Sequence, residues 1–130
     1  TYAIFTKIRQ VDTYLQENPQ YKNVIKESHP ELCYALLNGE TVLSKKTEID
    51  GIEERIQILN RFLPNLNLGQ VVVMEKNYKC TVDDILDAIC LAVAANLSLK
   101  LGQDLIPYNP MEDDTGLKMQ MVVPNVEKLH

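Results

Sequence analysis

The sequence predicts a mixed α/β fold, and three observations carry the prediction. Four segments repeat apolar residues at steps of three and four, the spacing of an amphipathic helix. Short β-branched runs lie between and after them. Proline, glycine or asparagine punctuates the junctions. An α+β arrangement fits the same pattern.

The elements follow in order. Ile4, Phe5, Ile8, Val11 and Leu15 predict a first helix that stops at Asn18-Pro19. The chain opens at Thr1 inside that pattern, so further sequence is expected upstream. Val24 to Ser28 reads as a short strand, β-branched at its start and polar at its end. His29-Pro30 breaks it, because proline lacks a ladder donor and suits the first turn of a helix. Glu31 to Leu37 is that helix, with Asn38-Gly39 as its stop. Thr41 to Leu43 could form a brief strand.

Ile49, Ile52, Ile56, Leu59 and Leu63 predict a helix ended by Pro64. Val71, Val72 and Val73 read as a strand by propensity, within Gln70 to Glu75. From Val82 to Leu101 a long helix carries Ile85, Leu86, Ile89, Val93 and Leu97 as its stripe. Thr81 with Asp84 forms a capping-box start, and Gly102 is the stop. Leu105 to Pro107 and Leu117 to Val123 could pair as strands around the acidic loop 109–116. One dependable strand is too few for so many amphipathic helices, so the sheet reads as incomplete, its missing strands upstream.

Composition narrows the function. A formal charge of −5 lacks the basic footprint of a stable nucleic-acid binder, although an enzyme that reaches phosphates through metal ions can be acidic. Three cysteines without CxxC spacing argue against a disulfide framework or zinc knuckle and favour a reducing cytoplasm. Two histidines, one of them the terminal His130, exclude a multi-histidine metal site. No apolar run approaches the ~20 residues that span a bilayer, and no charged-then-apolar leader opens the chain, so a soluble protein without membrane contact is expected.

The carboxylates carry the chemistry. Glu27 stands at the polar carboxyl end of the expected strand, where open α/β sheets bind ligands, and His29 and Glu31 follow it. Asp83, Asp84 and Asp87 occupy the first turns of the long helix, where Asp87 can share a face with either of the others. Converging carboxylates of this kind suit Mg²⁺ or Mn²⁺. Acids in a first helical turn also stabilise the helix dipole, by about 0.3–1 kcal/mol each. His29 can equally cap or pack, and Glu31 can be a first-turn acid. Lys45-Lys46 is by default a solvated pair, although two cations beside an acidic site could hold a phosphate. Asp113 to Gly116 reads as a turn.

Several stretches together resemble a known family: Glu27-Ser28-His29-Pro30-Glu31-Leu32, Asn38-Gly39, Lys45-Lys46-Thr47, Gly51, Arg55, Asp83-Asp84-Ile85-Leu86-Asp87-Ala88, Gly116 to Met119, and Pro124. In order and approximate spacing they are similar to an uncharacterised family of predicted RNase H-like nucleases. Lys7 to Asp12 matches that family's segment upstream of the histidine-proline motif. Asp84 to Ala88 also resembles the last motif of bacterial Holliday-junction resolvases.

The resemblance implies the C-terminal part of a single RNase H-like domain over residues 1–130, with the opening strands and their metal-binding aspartate absent. It implies Glu27, Asp84 and Asp87 as catalytic, metal-binding carboxylates for Mg²⁺ or Mn²⁺, with Asp83 as a substitute. His29, Glu31, Lys45 and Lys46 would contact the substrate. The expected function is metal-dependent cleavage of nucleic acid, incomplete in this fragment. The alternatives are a non-catalytic domain for protein interaction or assembly, or a hydrolase of a small phosphorylated metabolite. An incomplete sheet leaves an open edge, so a homodimer is a candidate assembly.

Overall fold

The computed structural model describes residues 2–129; Thr1, at the opening of the first helical pattern, and His130 lie outside them. The fold is mixed α/β, with five α-helices and a two-stranded sheet among the described residues. The chain divides into two compact units, Thr1–Glu27 with Leu105–Val122 and Ser28–Asp104 with Val123–His130. Strand β1 (Gln103–Ile106) pairs with β2 (Met121–Pro124), near the expected positions, and the unit boundaries fall within these strands.

In the first unit, α1 (Tyr2–Glu17) leads into a 3-10 turn at Pro19–Tyr21, whose Tyr21 ring stacks on Tyr14 at 6.0 Å. Ile4, Phe5, Ile8 and Val11 of α1 are each more than half exposed. The expected strand at Val24–Ser28 does not form. The amides of Val24 and Ile25 both turn back to the Tyr21 carbonyl, so these β-branched residues close a turn instead of joining a ladder. Only Glu27 pairs, in an isolated parallel bridge with Met121. The turn at 113–116 is present. The Asp113 carboxylate accepts from the Thr115 amide and hydroxyl and the Leu117 amide, Gly116 takes φ +78°, and Lys22 donates to the Thr115 carbonyl at 2.9 Å.

The second unit is built on α5 (Val82–Leu101), against which α2 (Pro30–Asn38), α3 (Ile49–Asn60) and α4 (Leu68–Tyr78) all pack. Cys33, Tyr34 and Leu37 of α2, Ile56 and Leu59 of α3, and Val71 of α4 meet Leu86, Cys90 and Val93 of α5 in one core. Pro30 opens α2 at a position where its fixed φ is already helical, and Gly39 closes it at φ +85°. Thr81 and Asp84 bond each other's backbone amides and set the start of α5.

Two further readings are corrected. Val71 to Val73 lie in α4, because Asn67 and Gln70 form a capping box that starts a helix before the valines, and Leu68, Val71 and Met74 then bury at three-residue spacing. Local β propensity yields there to capping and packing. Thr41 to Leu43 forms no strand; Val42 alone is buried, while Leu43 is 89% exposed.

One glycine sets the path of the segment between α2 and α3. A Cβ on Gly51 would lie 2.0 Å from the Lys45 carbonyl oxygen. Alanine in place of a helical glycine ordinarily stabilises by about 0.5–1 kcal/mol, whereas forcing atoms into filled space costs about 1–3 kcal/mol. The second effect wins here. Gly51→Ala is expected to lower the melting temperature, and a variant that melts higher than the parent would count against the close approach of segment 44–48 to α3.

Candidate functional site

The candidate site lies in the second unit, at the start of α5. Asp83 and Asp87 are four residues apart and share a helix face, and the ammonium of Lys46 sits between them. Its Nζ is 2.9 Å from Asp87 Oδ2 and 3.4 Å from Asp83 Oδ2, with the three side chains 39%, 19% and 22% exposed. Asp87 Oδ1 is buried and has no hydrogen-bond partner. Asp84 points its carboxylate to the Thr81 amide as part of the helix cap. The helical wheel leaves the partner of Asp87 open; Lys46 lies between Asp87 and Asp83.

Lys46 reaches α5 because its segment is held from below. Arg55, on α3, is the buried charged residue among the described residues, 2% exposed. Its Nε and Nη2 grip the two carboxylate oxygens of Glu31 at 3.2 and 2.8 Å, a bidentate fork from α3 to α2. Its Nη1 donates to the carbonyls of Ser44 (3.1 Å) and Gly51 (3.0 Å). The Ser44 hydroxyl in turn donates to Glu54. The guanidinium lies 5.5 Å from the ring centre of Tyr34, and the Tyr34 hydroxyl donates to the Leu86 carbonyl at 2.8 Å, one residue before Asp87. Contacts and short stretches of chain therefore link Glu31, Arg55, Ser44, Lys46, Asp87, Leu86 and Tyr34 across α2, α3, α5 and segment 44–48.

Magnitudes separate the pairs. Breaking a buried ion pair costs about 3–5 kcal/mol, while exposed pairs contribute about 0–1 kcal/mol. Lys45 and Glu48 are 77% and 60% exposed and belong to the second class. Glu31 is 35% exposed, so its pair with Arg55 falls below the top of the buried range.

Electrostatics follow the geometry. The Thr81 hydroxyl, aided by Lys46 against the cost of burial, holds the Asp83 carboxyl below its usual range. The hydrogen bond to Asp87 raises Lys46. Burial raises Tyr34 strongly, so it stays a neutral donor to Leu86, and it also raises the thiols of Cys33 and Cys90. Those two cysteines behave as small buried apolar residues.

The family model described as Protein of unknown function (DUF429) matches residues 1–112. The chain belongs to that family. No curated protein and no solved structure matches it. Glu27, His29, Glu31, Lys46, Arg55, Asp83, Asp84 and Asp87 all fall inside the DUF429 span.

The residues singled out from sequence separate into groups. Lys46, Asp83 and Asp87 come together, and Glu31 joins the network that supports them. Lys45 pairs with Glu48, as a solvated side chain does. His29 is the N-cap residue of α2, exposed and without a side-chain capping bond. Glu27 is exposed and belongs to the first unit. Among the described residues, no three His, Cys, Asp or Glu side chains gather at metal-binding range.

Sequence reasoning assigned no role to Arg55, Ser44 or Tyr34. A signal for Arg55 was available: a cation at the inward spacing between Ile52 and Leu59 must be buried with a partner. On the Asp84 side, α4 and α5 flank an open groove of about 300 Å³, lined by apolar surface of Met74, Tyr78, Ile85 and Ile89.

The depressed Asp83 pKa gives a pH dependence with a definite sign. Its contribution to stability is present above the unfolded carboxylate value of about 3.9 and is lost as pH falls through the lower folded value. Urea unfolding between about pH 5 and about pH 3 is expected to show a shallower loss of stability for Asp83→Asn than for the parent. Equal slopes would disconnect Asp83 from Thr81 and Lys46.

Proposed function

We propose that the chain is part of an RNase H-like, metal-dependent phosphodiesterase acting on nucleic acid, with Asp83 and Asp87 holding Mg²⁺ or Mn²⁺. The observation that carries this reading is the convergence of two carboxylates on one cation, with Asp87 Oδ1 buried and unpartnered beside it. A buried carboxylate oxygen without a donor is costly, and an oxygen-seeking divalent ion is a group that satisfies it. The matched histidine-proline, lysine-lysine and aspartate motifs support the same reading. When bound, the ion supplies charge for a phosphate oxygen and acidifies a water.

The chain's own residues supply the rest. Asp83 and Asp87 orient toward one point from a rigid helix, which fixes the geometry better than a loop can. Lys46 brings a positive charge to an otherwise acidic protein at the place where a phosphate must approach. Arg55 sets the height of segment 44–48 and so the reach of Lys46. Asp84 accepts from the Thr81 amide through Oδ2 and so supports the helix start.

A second reading has an observation of its own. Lys46 neutralises Asp83 and Asp87 in part and Asp84 caps α5, an arrangement that also serves a non-catalytic domain used for interaction or assembly.

Incubation of the protein with labelled DNA and RNA, single- and double-stranded, separates the readings. Cleavage in Mn²⁺ that stops with chelator and in Asp87→Asn, but persists in a folded Asp84→Asn, is the expected result. Cleavage that survives Asp87→Asn would refute the assignment. Absence of cleavage from folded protein, also across small phosphate esters, would favour the interaction domain.

A further inference from the structure

Two carboxylates four residues apart on one helix face repel each other, and the repulsion grows where water is partly excluded. Here the Lys46 ammonium relieves it, at 2.9 Å from Asp87 Oδ2 and 3.4 Å from Asp83 Oδ2. The fit is incomplete. The ammonium takes Oδ2 of Asp87 and leaves the buried Oδ1 of the same carboxylate without a partner. A point charge with three donors has met two carboxylates without saturating them.

The tether explains why the ammonium is there at all. Ser44, two residues before Lys46, is fixed to Arg55, and the Lys45 carbonyl lies against Gly51, so the backbone is pinned at the base of a four-carbon side chain. A cation on a short tether is present at high effective concentration, in the mM range or above, and competes with any free cation for the same oxygens. Its 39% exposure leaves the side chain a route into solvent without moving the backbone.

Resting on the reading of Asp83 and Asp87 as a divalent-cation pair, we propose that Lys46 is a tethered counter-cation that regulates occupancy of that pair. Lys46 would give up the carboxylate oxygens to a divalent ion, and its released ammonium would then stand beside the pair, free to hold a phosphate oxygen. Lys46 thus keeps the pair neutralised at low metal and turns toward an anionic substrate once the ion is in place. The device links metal binding to substrate binding through one side chain.

Calorimetric titration with Mn²⁺ alone tests it, on the parent protein, Lys46→Met, Lys46→Arg and the double variant Lys46→Met/Asp87→Asn. Lys46→Met is expected to bind Mn²⁺ about tenfold more tightly than the parent, Lys46→Arg to stay near the parent, and the double variant to lose binding. Lys46→Gln, which keeps a donor to Asp87 but no charge, covers any failure of the methionine variant to fold and is also expected to bind more tightly than the parent. Equal affinity in the parent and the uncharged variants would overturn the regulatory role while leaving the cation pair in place. No binding by any folded variant would overturn the role and the cation pair together. Tight binding that survives Asp87→Asn would overturn both by placing the ion elsewhere.

Discussion

A guanidinium at 2% exposure has to be fully engaged, and the engagement of Arg55 fixes much of the second unit. Its fork to Glu31 ties α3 to α2, its bonds to the Ser44 and Gly51 carbonyls pin the segment between them, and its face lies over Tyr34. Each of the hydrogen bonds satisfies a donor that would otherwise be left unpaired in the core. Lysine could not do this: a single ammonium lacks the planar fork that reaches three directions from one place.

The consequence is felt at the start of α5. With Ser44 pinned and Gly51 letting the Lys45 carbonyl close on α3, Lys46 is delivered to the face shared by Asp83 and Asp87. Tyr34 adds a second link to the same place through the Leu86 carbonyl. Three neighbouring aspartates then do different work: Asp84 caps the helix, while Asp83 and Asp87 share one cation. The division follows from helical geometry, since the third residue of a capping box bonds back to the cap and residues four apart face one way.

What the sequence made legible followed where local chemistry and tertiary packing agree. The limits of α5 could be read from Thr81, Asp84 and Gly102, because capping is a short-range interaction that packing does not overrule. The strand at Val24–Ser28 and the strand reading of Val71–Val73 failed for a common reason. β-branched residues state a preference, and the Tyr21 carbonyl in one case and the Asn67–Gln70 box in the other offered the backbone better partners. Of the site, Asp83, Asp87 and Lys46 were marked from sequence; helical spacing left open which aspartate shares a cation with Asp87, and the resemblance named Asp84, whereas Lys46 lies between Asp87 and Asp83. Arg55 was visible as part of a motif and by its inward spacing between Ile52 and Leu59, but its partners were not. Its role depends on contacts with Glu31 and Ser44, 24 and 11 residues away, which no periodicity reports.

Arg55 positions Lys46 on the aspartates. A double-mutant cycle between Lys46→Met and Asp87→Asn, followed by urea unfolding in the parent and again in an Arg55→Lys background, addresses it directly. A coupling of about 0.5–1 kcal/mol is expected in the parent, falling close to zero once the guanidinium fork is gone. The same coupling in both backgrounds would contradict it and show that segment 44–48 finds its place without Arg55.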